Sequence, residues 1–340
     1  MALQNIGVSF RQVQACDVLP EARAFWNAHF DHGCATIYNH DITQRDLKDL
    51  EKFSVDLYVA GFPCPDYSIA GTGSGIAGKT GGLMLNMVAT LKVMLPHVFL
   101  LENVAGFVTQ HQPTYLWLLD QLRRMGKGYW VDARILNCKD HGIPQSRPRL
   151  FIVGIQKERV PKDFVFEWPP EIGHVPLSFL LDRQTSKATV KDHPPASQTQ
   201  AFKNWQTACR QIIQKLEQNP FESHICADID GSRGPHWMDG CVPCLTRSRC
   251  GKESHWLMGR GRRLNLNETA RLMGMNPKSI DVDCVTKNKM GKMLGNSMCV
   301  NVLERLLVRL LPAAGWRHLK LLDRWGSLSS AKKAAAALNA

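Results

Sequence analysis

The chain has 340 residues, 44% of them hydrophobic and 21% charged, with a formal net charge of +12. That length can bury a sizeable core, the composition excludes a disordered or collagen-like chain, and no apolar run approaches the length of a membrane span. The charge points to an anionic partner, nucleic acid first.

In chain order, QVQAC (12–16) reads as a strand and PEARAFWNAHF (20–30) as a helix with Pro20 in its first turn. VDLYVA (55–60) is a short apolar run suited to a buried parallel strand, and a long loop, GFPCPDYSIAGTGSGIAGKTGG, follows it. GLMLNMVATLKVML (82–95) has helical spacing, and HVFLLE (97–102) is another buried strand. TYLWLLDQLRRMG (114–126) predicts a helix ending at Gly126, and YWVDARIL (129–136) and RLFIVGI (149–155) predict strands. This alternation predicts an α/β domain around a parallel sheet.

From about 170 to 260 the pattern dissolves into loop-rich stretches such as EWPPE (167–171), KDHPPASQTQ (191–200) and IDGSRGPHWMDGCVPC (229–244), which predict a small irregular second domain. LNETARLMGM (266–275) and SMCVNVLERLLVRLL (297–311) are helical again. SSAKKAAAALNA (329–340) reads as a frayed helix or a disordered tail. The domain boundaries expected are 1–170 for the first domain, with 262–325 returning to it, 171–261 for the second, and 326–340 for the tail.

One motif points elsewhere. GSGIAGKT (73–80) fits the phosphate-loop spacing G-x-x-x-x-G-K-[ST]. A working phosphate loop joins a strand directly to a helix. Here twelve residues, GFPCPDYSIAGT, separate Ala60 from Gly73, and two prolines flank a cysteine within them. The glycines instead suggest a long loop that closes over a substrate, and a nucleotide hydrolase is a distant rival.

Four separated segments agree with one another. GFPCPDYS (61–68) sets Cys64 between Pro63 and Pro65 just past a strand end, and LLENV (100–104) sets Glu102 and Asn103 past the next. Ligands bind at such ends in doubly wound sheets. QSRPR (145–149) spaces Gln145, Arg147 and Arg149 two apart, so an extended strand would put them on one face. LGNSMCVNV (294–302) is a Gly-Asn-Ser turn entering a helix.

In this order, GFPC with ENV above all, the segments resemble the DNA cytosine-5 methyltransferase family from about residue 2 to 311. The resemblance implies a Rossmann-like S-adenosylmethionine-dependent methyltransferase sheet with a small target-recognition domain. It implies duplex DNA as substrate, a monomer, and a nuclear location if the source is eukaryotic. Carbon 5 of cytosine is a poor nucleophile until a thiolate adds to carbon 6, and cysteine is the side chain that best adds and later leaves. Local charge or a dipole must favour that thiolate. By resemblance Cys64 is this nucleophile and Glu102 supplies a proton or hydrogen bond to ring nitrogen 3, which suggests a carboxyl kept partly protonated by burial. Asn103 orients the loop, and Arg147 and Arg149 hold the base and the loop. The base must leave the duplex stack to be reached.

The resemblance places the cofactor ribose on Asp17 and the adenine amino group on Asp41. Val18 and Ile42 pack the adenine, Gly61 and Pro63 line the floor, Leu83 starts the helix after the loop, and Asn296 and Ser297 close the pocket. RRLNLNETARLMGM (262–275) corresponds to the segment packing the recognition domain onto the core. VPCLTRSR (242–249) resembles the family's Pro-Thr-Leu-Thr element, with Cys244 replacing a threonine. Ser68, Gly75, Arg247, Arg249 and Arg260 are implied DNA contacts, the arginines belonging to a basic run with Lys252, Arg262 and Arg263 suited to phosphates.

Eleven cysteines, an odd number spread through the chain, do not form a disulfide framework, and MALQNIGVSF lacks the marks of a signal peptide, so an intracellular, reducing setting is expected. Cys226, Cys241, Cys244, Cys250, His236 and His255 raise a zinc alternative, but a second CxxC pair is missing and no metal is expected. The chain also departs from the family. A Phe-x-Gly-x-Gly turn after the first strand is absent, which suggests an N-terminally incomplete chain. Pro65 stands where Gln is usual, and Thr80 where Arg is. Two further readings stay open: a tRNA cytosine-5 methyltransferase, whose Cys-Phe-Thr element is not found here, and a catalytically inactive DNA-binding relative.

Overall fold

The computed structural model describes residues 1–29, 37–39, 41–62, 82–183, 195–251, 254–281 and 283–339, with only the backbone at 37–39. Cys64, Pro63, Pro65, Ser68, Gly75 and the phosphate-loop residues Gly73, Gly78, Lys79 and Thr80 lie outside the described residues, as does Lys252. The chain divides into two compact units. One holds Met1–Leu136, Pro148–Pro170 and Val302–Asp323, and the other Asn137–Arg147, Glu171–Asn301 and Arg324–Ala340. No helix among the described residues is long and apolar enough to cross a membrane.

The first stretch carries strands β1 (Gln14–Cys16), β2 (Ile37–Asn39), β3 (Leu57–Gly61), β4 (Val98–Val104), β5 (Tyr129–Asn137), the two-residue β6 (His141–Gly142) and β7 (Pro148–Gln156). Helices α1 (Ala2–Asn5), α2 (Pro20–His29), α3 (Leu83–Met94), α4 (Gly106–Gln110) and α5 (Gln112–Arg123) lie among them. β1 and β2 form a parallel pair of their own, and the main sheet has the order β3-β4-β7-β5. β4 is buried over six of its seven residues. Its continuous apolar run suits a strand covered on both faces. α3 and α5 cover this sheet with Met84, Met87, Val88 and Leu91 and with Leu118, Leu119 and Leu122, spaced as one helical face.

The sheet is mixed. β3 runs parallel to β4, but β7 runs antiparallel to it, with Phe99 opposite Gly154 and Glu102 opposite Phe151. The expected all-parallel sheet fails because QSRPR follows β5 too closely. A parallel return needs a crossover of a dozen or more residues, usually a helix, and the stretch between Asn137 and Pro148 holds only a short turn and β6. LLENV is also corrected: Glu102 and Asn103 lie inside β4 and not past its end.

The second unit adds β8 (Gly173–His174), α6 (Gln200–Leu216), β9 (Ile225–Asp228), β10 (His236–Asp239), β11 (Trp256–Leu257), β12 (Arg262–Arg263), α7 (Leu266–Leu272), α8 (Lys287–Asn296) and α10 (Leu328–Ala337), while α9 (Val300–Ala313) begins in it and continues into the first unit. The expected irregular stretch therefore contains a four-stranded sheet, β10-β9-β11-β12, and a 17-residue helix. Thr199 Oγ1 caps α6 by accepting the Phe202 N–H, and Ala208 and Ile212 pack on Ile225, Ala227 and Ile229. Residues 262–301 group with this unit, whereas the sequence reading returned 262–325 to the first domain. The alanine-rich tail is ordered as α10: a Ser327–Ser330 capping box opens it, and Ala331, Ala334 and Ala335 are buried.

Gly154 sets the β4–β7 spacing. A methyl group there would overlap the Phe99 ring across the pair. Gly154→Ala should lower the urea midpoint with a loss of about 1–3 kcal/mol, and adding Phe99→Leu should recover part of it.

Candidate active site

The first unit concentrates charge at the end of β4. Glu102 is 9% exposed, and its Oε1 sits 3.2 Å from Nε of Arg149 on β7. The antiparallel register makes this pairing possible, because Arg149 faces Val104, two residues along from Glu102 on the same face. Asn103 is 1% exposed. Its Nδ2 donates to the Phe62 carbonyl at 3.4 Å, and its Oδ1 accepts the Val104 N–H at 2.8 Å. Gly61 is the in-register partner of Glu102 on β3. Phe62 anchors the chain here, buried edge-to-face against Phe107. Asn103 and Phe62 thus fasten the end of β3 to β4.

Two further acids follow the parallel pair β1–β2. Asp17 comes directly after β1, and its Oδ1 accepts the Leu19 N–H at 2.8 Å, ahead of α2. Asp41 comes two residues after β2, and its Oδ1 accepts both the Thr43 N–H and hydroxyl at 2.8 Å. Those two hydrogen bonds hold the Asp41 carboxyl below the usual carboxylate range. Val18, 67% exposed, presents an apolar face beside Asp17, while Ile42 packs onto the main core. Leu83 opens α3 after Gly82. Arg45, in the turn that follows Asp41, ties this region to α3, its Nη1 donating to Thr90 at 3.3 Å.

In the second unit Arg147 is 3% exposed. Its Nη1 donates to the Leu245 carbonyl at 2.6 Å, and its Nη2 to the carbonyls of Gly295 and Ser297 at 3.0 and 2.8 Å. Gln145 is fully buried, donating to the Leu272 carbonyl at 2.7 Å and accepting the Leu245 N–H at 3.3 Å. The expected common strand face for Gln145, Arg147 and Arg149 does not form: β7 starts at Pro148, and Gln145 instead bridges Val242. These carbonyls claim the Arg147 guanidinium, so the structure uses it to clamp VPCL to the Gly-Asn-Ser turn. Ser297 caps the end of α8, its hydroxyl donating to the Leu294 carbonyl at 2.8 Å, and Asn296 is exposed. α8 approaches residues 246–251 so closely that a Cβ at Gly295 would lie 2.5 Å from the Thr246 carbonyl carbon, and one at Gly291 2.6 Å from the Gly251 nitrogen.

The basic run 247–263 is largely engaged inside its own unit. Arg249 Nε lies 2.9 Å from Asp228 Oδ2, and Arg260 Nη1 donates to the Asp182 carbonyl at 2.6 Å. Arg262 binds buried Glu268 through two bonds of 2.7 and 2.8 Å, and Arg263 binds Asp230 while lying over the Trp256 ring. Arg247 is exposed. Composition counts these cations but cannot show their acids, which lie from 6 to 33 positions away in the chain. Among the described residues no group of three or more His, Cys, Asp or Glu side chains could hold a metal ion. Burial pushes the Cys250 thiol up to about 12, with Arg147 opposing, and pushes Cys241 up to about 11. His255, also buried, is shifted downward and bonds the Pro243 carbonyl.

A family model described as C-5 cytosine-specific DNA methylase matches residues 1–311. The Type II methyltransferase M.HaeII of Haemophilus aegyptius is 30% identical over 270 residues, covering 78% of this chain and 76% of that protein. M.NgoBI of Neisseria gonorrhoeae, also a Type II methyltransferase, is 31% identical over 267 residues with the same coverage. Among solved structures, a Spodoptera frugiperda DNMT2 mutant aligns with a TM-score of 0.62 at 15% identity, covering 91% of this chain and 95% of that one. The S. pombe Dnmt2 methyltransferase aligns at 0.55 and 20% identity, covering 92% and 95%. At those identities the structural likeness speaks for the fold alone.

Arg147→Met would leave the buried carbonyls of Leu245, Gly295 and Ser297 without their donor, and should cost about 3 kcal/mol or more in denaturant unfolding. Arg147→Lys, a single ammonium in place of a fork, should recover only part of that loss.

Proposed function

Because this chain belongs to the C-5 cytosine-specific DNA methylase family, we propose that it methylates carbon 5 of cytosine in DNA through a transient bond between the Cys64 sulfur and carbon 6 of the base. Membership brings S-adenosylmethionine with it as methyl donor. The observation that carries the reading is the Glu102–Arg149 pair, 3.2 Å apart beside Gly61, which precedes Cys64 by three residues in the sequence. Asn103 holds Phe62, which precedes Cys64 by two residues in the sequence.

Each residue then has a defined task. The Cys64 thiolate adds to carbon 6, moving the ring electrons toward nitrogen 3 and making carbon 5 nucleophilic. Glu102 meets the polar edge of the extruded base. A guanidinium at 3.2 Å favours its carboxylate form, so it first accepts from the exocyclic amine, and it passes on a proton to nitrogen 3 only after taking one up. Arg149 holds that carboxylate in place. Loss of the carbon 5 proton and departure of the thiolate restore the ring.

The donor set fits the cofactor. Asp17 and Asp41 stand beyond the carboxyl ends of two adjacent parallel strands, where ligands bind in open α/β sheets, and exposed Val18 offers an apolar surface to adenine. When bound, the cofactor supplies an electrophilic methyl group on sulfonium. Asp41, held ionised by Thr43, is suited to accept from the adenine amino group, and Asp17 from the ribose hydroxyls. Leu83, Asn296 and Ser297 rest on the family pattern alone. In this reading 1–170 is the catalytic core and 171–261 serves target recognition.

The test is methyl transfer from tritiated S-adenosylmethionine to duplex DNA or to tRNA. Label should enter DNA and disappear in Cys64→Ser, while Glu102→Gln should slow transfer by about a hundredfold. A duplex with fluorine at cytosine carbon 5 should leave a denaturation-resistant protein–DNA adduct. Label confined to tRNA, or DNA binding with no label, would overturn the reading.

A further inference from the structure

We infer that Arg45 is a positioning residue for the cofactor, fixing the acids Asp17 and Asp41 relative to the sheet that carries Glu102. The inference deepens the function proposed above and rests on it for the identity of the ligand. It starts from a break in the hydrogen bonding of the first unit. Among the described residues β1 and β2 pair only with each other, and the main sheet β3-β4-β7-β5 forms a separate ladder. Asp17 and Asp41 follow the strands of the first pair, while Gly61 and Glu102 belong to the main sheet. Methyl transfer needs donor and base held in one alignment, so something other than strand pairing has to fix the two sheets against each other.

Apolar packing does part of this. Val13 rests on the cluster of Leu50, Val55 and Met94, and Ile42 rests on the main core. Such contacts are non-directional. Half-buried Arg45 supplies direction. Asp41 opens a single locked turn, its Oδ1 accepting from Thr43 and its carbonyl accepting the Gln44 N–H at 3.2 Å, and Arg45 is the residue at which that turn ends.

From there the guanidinium reaches elements on both sides of the break. Nη1 donates to Thr90 on α3 at 3.3 Å, and Thr90 is itself held, its hydroxyl donating to the Asn86 carbonyl at 2.9 Å. Burial pushes up both the thiol of Cys16, at the end of β1, and the hydroxyl of Tyr58 on β3, and the Arg45 guanidinium beside them opposes that push. Cys16 immediately precedes Asp17. One planar fork thus joins the turn of Asp41, the strand end before Asp17, β3 and α3, which a compact ammonium could not do.

The experiment is calorimetric binding of S-adenosylhomocysteine to the full chain, with the urea midpoint of each variant measured alongside. Arg45→Met should weaken binding by about tenfold, the size of one lost hydrogen bond to a charged group. Arg45→Lys, which keeps the charge but not the fork, should fall between that variant and wild type, and it carries the comparison if Arg45→Met does not fold. In an Asp41→Asn background the loss from the Arg45 substitution should shrink, because the carboxylate that Arg45 positions is gone. Unchanged affinity, with or without a lower midpoint, would overturn the inference and leave the cofactor reading, since the residue would then serve stability alone. An undiminished loss in the Asp41→Asn background would also overturn it, because Arg45 would then act independently of that acid. A wild type that binds no S-adenosylhomocysteine would overturn the cofactor reading and this inference together.

Discussion

A carboxylate on the most buried strand of a sheet has to be given a cation or lose its charge, and the site at the end of β4 is organised around that constraint. Glu102 belongs to a strand whose preceding residues are wholly apolar, and water is too scarce there to solvate an ion. Arg149 meets the need from β7, and it can do so only because β7 returns antiparallel, with Val104 opposite it. The mixed sheet, the short connection after β5 and the ion pair are therefore one solution. The same pairing alters the chemistry expected of Glu102, favouring a carboxylate where burial without a partner would favour the neutral acid.

Arginine has two uses in this chain, and sequence does not distinguish them. Arg147, three positions before Leu150 in a run that reads as basic, is as buried as a core leucine and holds three carbonyls. Its planar fork can serve several acceptors at once, which a lysine cannot. The arginines from 249 to 263 do similar structural work, Arg249, Arg262 and Arg263 through the carboxylates of Asp228, Glu268 and Asp230, and Arg260 through the Asp182 carbonyl. A chain with a strong positive balance can thus commit many of its cations internally.

What was legible followed periodicity. VDLYVA, HVFLLE and RLFIVGI became β3, β4 and β7 within two residues, and the core helices α3 and α5 appeared where the apolar spacing put them. Acids beyond the ends of β1 and β2 were legible too, because strand and turn are local features. The antiparallel β7 was not, since direction depends on how long a connection is relative to a crossover. Helix α6 was missed although Ala201, Trp205, Ala208, Ile212 and Leu216 repeat at helical spacing. The stretch before it, KDHPPASQTQ, has no such repeat. Of the two readings of the tail, frayed helix or disorder, the structure shows a helix and one that is packed: alanine is the strongest helix former, and its small side chain allows the close packing seen at Ala331 and Ala335. In the candidate site the Glu102–Arg149 pair depends on the register of β4 against β7, which no local motif carries, and the contacts of Arg147 involve partners more than ninety residues away.

The glycine contacts of α8 have a mechanical meaning. Where Gly291 and Gly295 meet segment 246–251 there is no room for even a methyl group, and Arg147 ties Leu245 to Gly295 and Ser297. A side chain at either glycine would have to push the segment and the helix apart.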